Sequence, residues 1–152
     1  MNISNRDWIG AWLPAILFMA LIFVGSSISG GMADSATRAA SGADDPIHIQ
    51  RIKDVFHVTE FGGLALLLIR ALRLQGHRYA LTTGFLIAAA YGICDELYQY
   101  YVPNRHPGVD DVVRNFVGAL IGAVIIRIGD NRSRDRLCWA GKNDSHRSRE
   151  NT

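Results

Sequence analysis

The sequence predicts an all-α, multi-pass transmembrane bundle of about four helices, and three observations carry that expectation. Apolar runs stand at about 8–25, 55–74, 79–98 and 109–128, each near the roughly 20 residues that cross a hydrocarbon core. The connection at Gln75–Arg78 is too short for a strand crossover but long enough to reverse a helix. Basic residues gather at the ends of the runs, where they orient a membrane protein, more than within them.

The 152 residues suffice for one domain, read as a transmembrane unit over 1–129 and a basic tail over 130–152. A net charge of +2 with 49% hydrophobic residues gives no ground for nucleic-acid binding once the basic residues are assigned to membrane flanks. The cysteines, Cys94 and Cys138, lie far apart without a C-x-x-C spacing, which argues against a disulfide scaffold and a zinc site.

The first run, Trp8 to Val24, is interrupted only by Gly10 and Pro14. Arg6 before it and Gly25-Ser26-Ser27 after it also allow a cleaved signal segment, a rival to a retained helix. Residues 26–54 are rich in Gly, Ser, Ala and Asp and lack apolar periodicity, so a flexible outer loop is expected. The second run, Val55 to Leu74, opens with His57 and Glu60 and closes with Arg70 and Arg73, which can snorkel to the interface. After the short turn a third helix returns, ending in Asp95, Glu96 and Gln99, with Tyr98, Tyr100 and Tyr101 where an aromatic belt lies.

Pro103 and Pro107 bracket a loop that cannot remain helical and that holds Asn104, Arg105 and His106. The fourth run opens with Asp110, Asp111, Arg114 and Asn115. It then becomes apolar around Gly118 and Gly122, a G-x-x-x-G strip suited to close helix packing. Beyond Gly129 the chain is polar and aperiodic, and disorder is expected.

Arg70, Arg73 and Arg78 flank the short turn without an acidic neighbour, and the tail carries Arg132, Arg134, Arg136, Lys142, Arg147 and Arg149. The positive-inside rule therefore predicts a cytoplasmic turn and cytoplasmic termini. Lys53, His57, Glu60, Asp95, Glu96, Gln99, Arg105, Asp111 and Asn115 then converge on the outer face. Spacings of three or four align Lys53 with His57, His57 with Glu60, Asp95 with Gln99 and Asp111 with Asn115 on their helices. A charge in the hydrocarbon costs about 2.5–3.5 kcal/mol on insertion scales, so these groups should face one another or water.

The string Asp95-Glu96-Leu97-Tyr98-Gln99, the turn Pro103-Asn104-Arg105 and the run Asp111-Val112-Val113-Arg114-Asn115-Phe116-Val117-Gly118 together resemble the signature of the VanZ-like family. Lys53, His57 and Glu60 fit its upstream pattern. Asn104 stands where a glycine is usual in the family, and Gly108 where a small hydroxyl residue is common. The resemblance implies a small protein of the bacterial inner membrane with a role in cell-envelope physiology, extending to tolerance of teicoplanin-type glycopeptides.

The nine polar residues form the expected binding site, with membrane lipids, a lipid-linked precursor or a peptidoglycan fragment as partner. Lys53, Arg105 and Arg114 would hold an anion. The alternative is an enzyme acting on a lipid-linked envelope precursor, with His57 or Glu60 as base and Asp95 or Glu96 as acid. No G-x-S-x-G or other recognised nucleophile setting supports it. A second alternative is a bundle whose polar groups only join helices or dock a partner, with Arg105 pairing Asp95 or Glu96 and Asn115 bonding across the interior. No cofactor is expected, and a single histidine among the carboxylates gives no metal centre.

Overall fold

In a computed structural model the backbone is described for residues 5–28, 30–42, 45–105 and 108–150. Five helices follow one another: α1 (Asn5–Ser27), α2 (Gly30–Ser41), α3 (Pro46–Leu74), α4 (Ala80–Gln99) and α5 (Val109–Glu150). Four contain segments long and apolar enough to cross a membrane: Trp8–Ser27, Ile47–Leu74, Ala80–Gln99 and Val109–Arg132. No strand occurs among the described residues, as expected where hydrocarbon leaves each backbone to satisfy its own hydrogen bonds.

The 26–54 stretch is not the structureless loop its composition predicts, because α2 occupies its middle and α3 begins at Pro46. Asp45 caps α3 by accepting from the Ile47 amide at 3.1 Å, and Pro46 occupies its first turn, a favourable start because that nitrogen has no helical partner. For α2, the Gly30 amide donates to the Pro103 carbonyl at 3.2 Å, so docking on the α4–α5 turn supplies what propensity alone would not. Past Gly129 the expectation of disorder also differs from the backbone, which stays helical to Glu150. No proline interrupts it, and extending a nucleated helix fixes only one residue per added bond.

At the other end of α3, Gly76 adopts φ +71°. The Gly76 amide donates to Arg73 and the His77 amide to Leu72, both at 2.9 Å, which is the paired closure that ends helices on a left-handed glycine. The chain reverses there into α4.

The core is centred on α3, whose Phe61, Leu64, Leu68 and Ile69 are essentially inaccessible. The strip on α5 meets it backbone to backbone: a Cβ on Gly118 would run into the Val58 carbonyl, and one on Gly122 would come within 2.5 Å of the Gly62 carbonyl oxygen. On the α4 side Gly84 lies against both the side chain and the backbone of Ile69. The outer faces keep large apolar groups exposed, among them Leu17, Leu21, Leu97 and Ile125. This is the surface that lipid replaces water against.

Alternating helix direction puts the ends of α1 and α4 beside the starts of α3 and α5. At the opposite end Arg73 clasps Asp130 through two hydrogen bonds of 2.9 and 2.5 Å. There too Gln75, with its amide oxygen turned toward them, accepts from the indole nitrogens of Trp8, at 3.0 Å, and Trp12.

Candidate functional site

The polar end divides into two layers. The inner layer consists of Asp95, Glu96, Gln99 and Asn115, all at most 5% exposed. Asp95 and Gln99 share a face one turn apart, and the Gln99 amide nitrogen donates to Oδ2 of Asp95 at 2.8 Å, with longer approaches to Glu96 and Ser26 at 3.4 Å. Asn115 crosses from α5: its Nδ2 donates to Oε1 of Glu96 at 3.1 Å, and its Oδ1 lies 3.0 Å from Nδ1 of His57 on α3. Because the nitrogen serves the carboxyl, the amide oxygen must accept. That fixes the proton of a neutral His57 ring on Nδ1 and leaves Nε2 as its acceptor.

Gly92 makes room for this crossing. A side chain there would meet Cβ of Asn115 at 2.9 Å and the Phe61 ring at 3.1 Å. Oε2 of Glu96 is buried without a hydrogen-bond partner among the described residues.

The outer layer borders a cavity of about 290 Å³ beside the ends of α1 and α4, the start of α3 and one face of α2. Lys53, His57, Glu60, Gln99 and Arg105 line it, together with Ser26. Lys53 is paired with Asp34 of α2. Arg105 donates through Nε to the Ile28 carbonyl at 3.2 Å, through Nη2 to the Gly25 carbonyl at 3.1 Å and through Nη1 to Oε1 of Gln99 at 3.2 Å. It therefore closes the last turn of α1, where carbonyls lack helical donors and a cation is favoured.

The expected pairing of Arg105 with Asp95 or Glu96 does not occur. Its reach is taken by the α1 carbonyls and by Gln99, which stands between it and Asp95. Arg114 is also absent from the cavity: it bridges Asp54, 3.1 Å from Nε, and Asp111, 2.6 Å from Nη1. Asp111 thereby belongs to a separate ion cluster at the α3–α5 edge and not to the hydrogen-bonded layer. His106 lies outside the described residues.

Sequence reasoning missed Ser26, which is 6% exposed and receives the Gln99 contact, and Asp34 and Asp54, the acids that neutralise Lys53 and Arg114. The only signal for Ser26 was its place at the outer end of an apolar run. For Asp34 there was none, because its helix was read as loop. The aromatic cluster divides as well. Tyr98 packs on Phe23 with ring centroids 4.8 Å apart and reaches Ser27, with 3.1 Å between the hydroxyl oxygens, whereas Tyr100 and Tyr101 are 75% and 82% exposed.

No group of three or more His, Cys, Asp or Glu side chains that could hold a metal ion occurs among the described residues. What the arrangement offers is a hydrogen-bonded inner wall and an open outer pocket of mixed charge. The turn following α4 shows one further feature: Asn104 has φ +57°, a left-handed conformation that asparagine tolerates better than other side chains.

No curated protein and no solved structure matches the chain. The family model described as VanZ/LLP1 matches residues 11–130, from within the first apolar segment to within the last turn of the fourth. Both layers of the site fall within that match, and the chain belongs to the VanZ/LLP1 family of multi-pass membrane proteins.

Proposed function

We propose that this protein binds the phosphate-bearing head group of an envelope lipid or lipid-linked glycan in the cavity beside α1, α2 and α3, in a bacterial inner membrane. The cavity opens outward and both termini are cytoplasmic; Arg70, Arg73 and Arg78 at the opposite end favour this orientation. The observation that carries the binding proposal is the state of Arg105. It is a guanidinium on the cavity wall whose hydrogen-bond partners are two carbonyls and an amide, all neutral. Three of its five N–H groups are so engaged, which leaves two donors and the full positive charge for a phosphate.

The test is phospholipid retained by the purified full chain, quantified by mass spectrometry in wild type and Arg105→Gln. The variant should retain about tenfold less, the effect of one charge-assisted contact, while keeping its helical circular dichroism. A folded variant retaining as much lipid as wild type overturns the proposal. In cells the same site would act in envelope physiology, including tolerance of teicoplanin-type glycopeptides. Deletion should then lower the inhibitory concentration, and restoring the Arg105→Gln variant should not recover it.

An enzyme acting on a lipid-linked precursor is the second candidate, favoured by one observation: the Ser26 hydroxyl and the His57 imidazole line the same cavity. Incubation with lipid-linked envelope precursors should then yield a product that Ser26→Ala and His57→Gln both abolish. Unchanged precursor after prolonged incubation removes this candidate and leaves binding.

A further inference from the structure

The side chains that can carry charge along the cavity are Lys53, His57, Glu60 and Arg105. Asp34 neutralises Lys53, and the Nδ1 side of His57 is held by Asn115. Two groups able to carry opposite charge remain, Glu60 and Arg105. Glu60 makes no hydrogen bond or ion pair with any described residue, and Arg105 has only the neutral partners given above. The two line the same cavity without forming an ion pair. Opposite charges left apart at the edge of a bilayer forgo an attraction that would offset the cost of taking each from water. Something that reaches both would supply it.

We infer that the head group taken by this cavity is a zwitterion in which an ammonium and a phosphate are joined by a short chain, the phosphoethanolamine class; this rests on the phosphate binding proposed above. The phosphate meets Arg105 and the ammonium donates to the Glu60 carboxyl. A purely anionic head group offers its phosphate to Arg105 but brings no cation to Glu60, only neutral hydroxyls. A trimethylated ammonium carries no N–H with which to satisfy the carboxylate. The cavity's volume of about 290 Å³ is at the low end of small-molecule sites, so it takes the head group and leaves acyl chains to the bilayer.

The test uses the purified full chain, equilibrated with equimolar phosphatidylethanolamine, phosphatidylglycerol and phosphatidylcholine in nanodiscs, with bound lipid read by native mass spectrometry. Wild type should enrich phosphatidylethanolamine about tenfold over each of the others. Glu60→Gln should erase the preference over phosphatidylglycerol while retaining phospholipid, and Glu60→Asp should restore part of it. Because Glu60 has no partner to lose, the glutamine variant should melt with wild type, which a purely structural role would not predict.

Soluble O-phosphoethanolamine added in detergent separates the sources: displacement of the lipid assigns recognition to the zwitterion itself, and its failure to compete assigns it to the membrane-anchored form. Equal or greater retention of phosphatidylglycerol by wild type overturns the zwitterion and leaves phosphate binding standing. Loss of all lipid selectivity together with an Arg105→Gln variant that binds normally overturns both.

Discussion

The Asn115 side chain donates to Oε1 of Glu96 at 3.1 Å, across the seam between α5 and α4. The same amide accepts from His57, so one residue holds three helices in register. Asn115→Leu deprives the buried carboxyl of its better donor, leaving only the 3.4 Å contact from Gln99. The variant should lose about 1–3 kcal/mol, the usual penalty for an unsatisfied buried group. Combining it with Glu96→Leu should recover part of that loss, since the buried carboxyl is then gone and only the His57 N–H is left without its acceptor. Thermal denaturation in detergent followed by circular dichroism checks this: additive losses would show that the two side chains act separately.

Gly118→Ala should destabilise by about 1–3 kcal/mol, because a methyl at that position overlaps the Val58 carbonyl and backbone cannot rotate aside as a side chain can. Gly10→Ala is the matched control. Nothing lies within 4 Å of its added Cβ, and helix propensity favours the change by about 0.5–1 kcal/mol. Melting temperatures of the two variants should move in opposite directions.

The left-handed Asn104 gives a third expectation. Asn104→Gly should be neutral or slightly stabilising, whereas Asn104→Val should cost about 1–2 kcal/mol for forcing a branched side chain to φ +57°. The damage should reach the cavity, since the Gly30 amide bonds to neighbouring Pro103 and the Arg105 amide closes onto Val102. Lipid retention and melting temperature should fall together in the valine variant.

Orientation is checked by single cysteines in a cysteine-free background. Asn104→Cys should react with a membrane-impermeant maleimide in intact cells once the outer barrier is opened. Gly76→Cys should react only after the inner membrane is permeabilised. The reverse pattern would turn the cavity toward the cytoplasm and exclude an outward-facing ligand.

The helices were legible because hydrocarbon is a demanding solvent: the run from Val109 to Ile128 has to be about that long and that apolar to cross it. The inner layer was legible for the complementary reason. Asp95, Glu96 and Asn115 interrupt apolar segments, where an ionisable or amide group is too costly to be placed idly. Arg105 was found but its partners were not. A long side chain reaches carbonyls, amides and carboxylates alike, and only the fold decides which is nearest. Helix α2 escaped notice because its apolar face is carried almost wholly by alanines, too weak to stand out in a Gly-, Ser- and Asp-rich stretch, and its docking depends on Gly30 lying close beneath the Asn104 carbonyl. Ser26 was hidden by its ordinariness, since hydroxyls are common where a span leaves the membrane.

Where Gly118 and Gly122 press on Val58 and Gly62, main chain abuts main chain, and such a joint has no rotamers to exchange and little freedom to slide. On the facing flank, Gly63 meets α1 through the ring of Phe18, and Tyr91 reaches the Met19 carbonyl through a single hydroxyl at 2.8 Å. Compliance in this bundle is therefore lopsided. The α3–α5 spine is the stiff side of the bundle, and the first helix, held through side chains, is the yielding one.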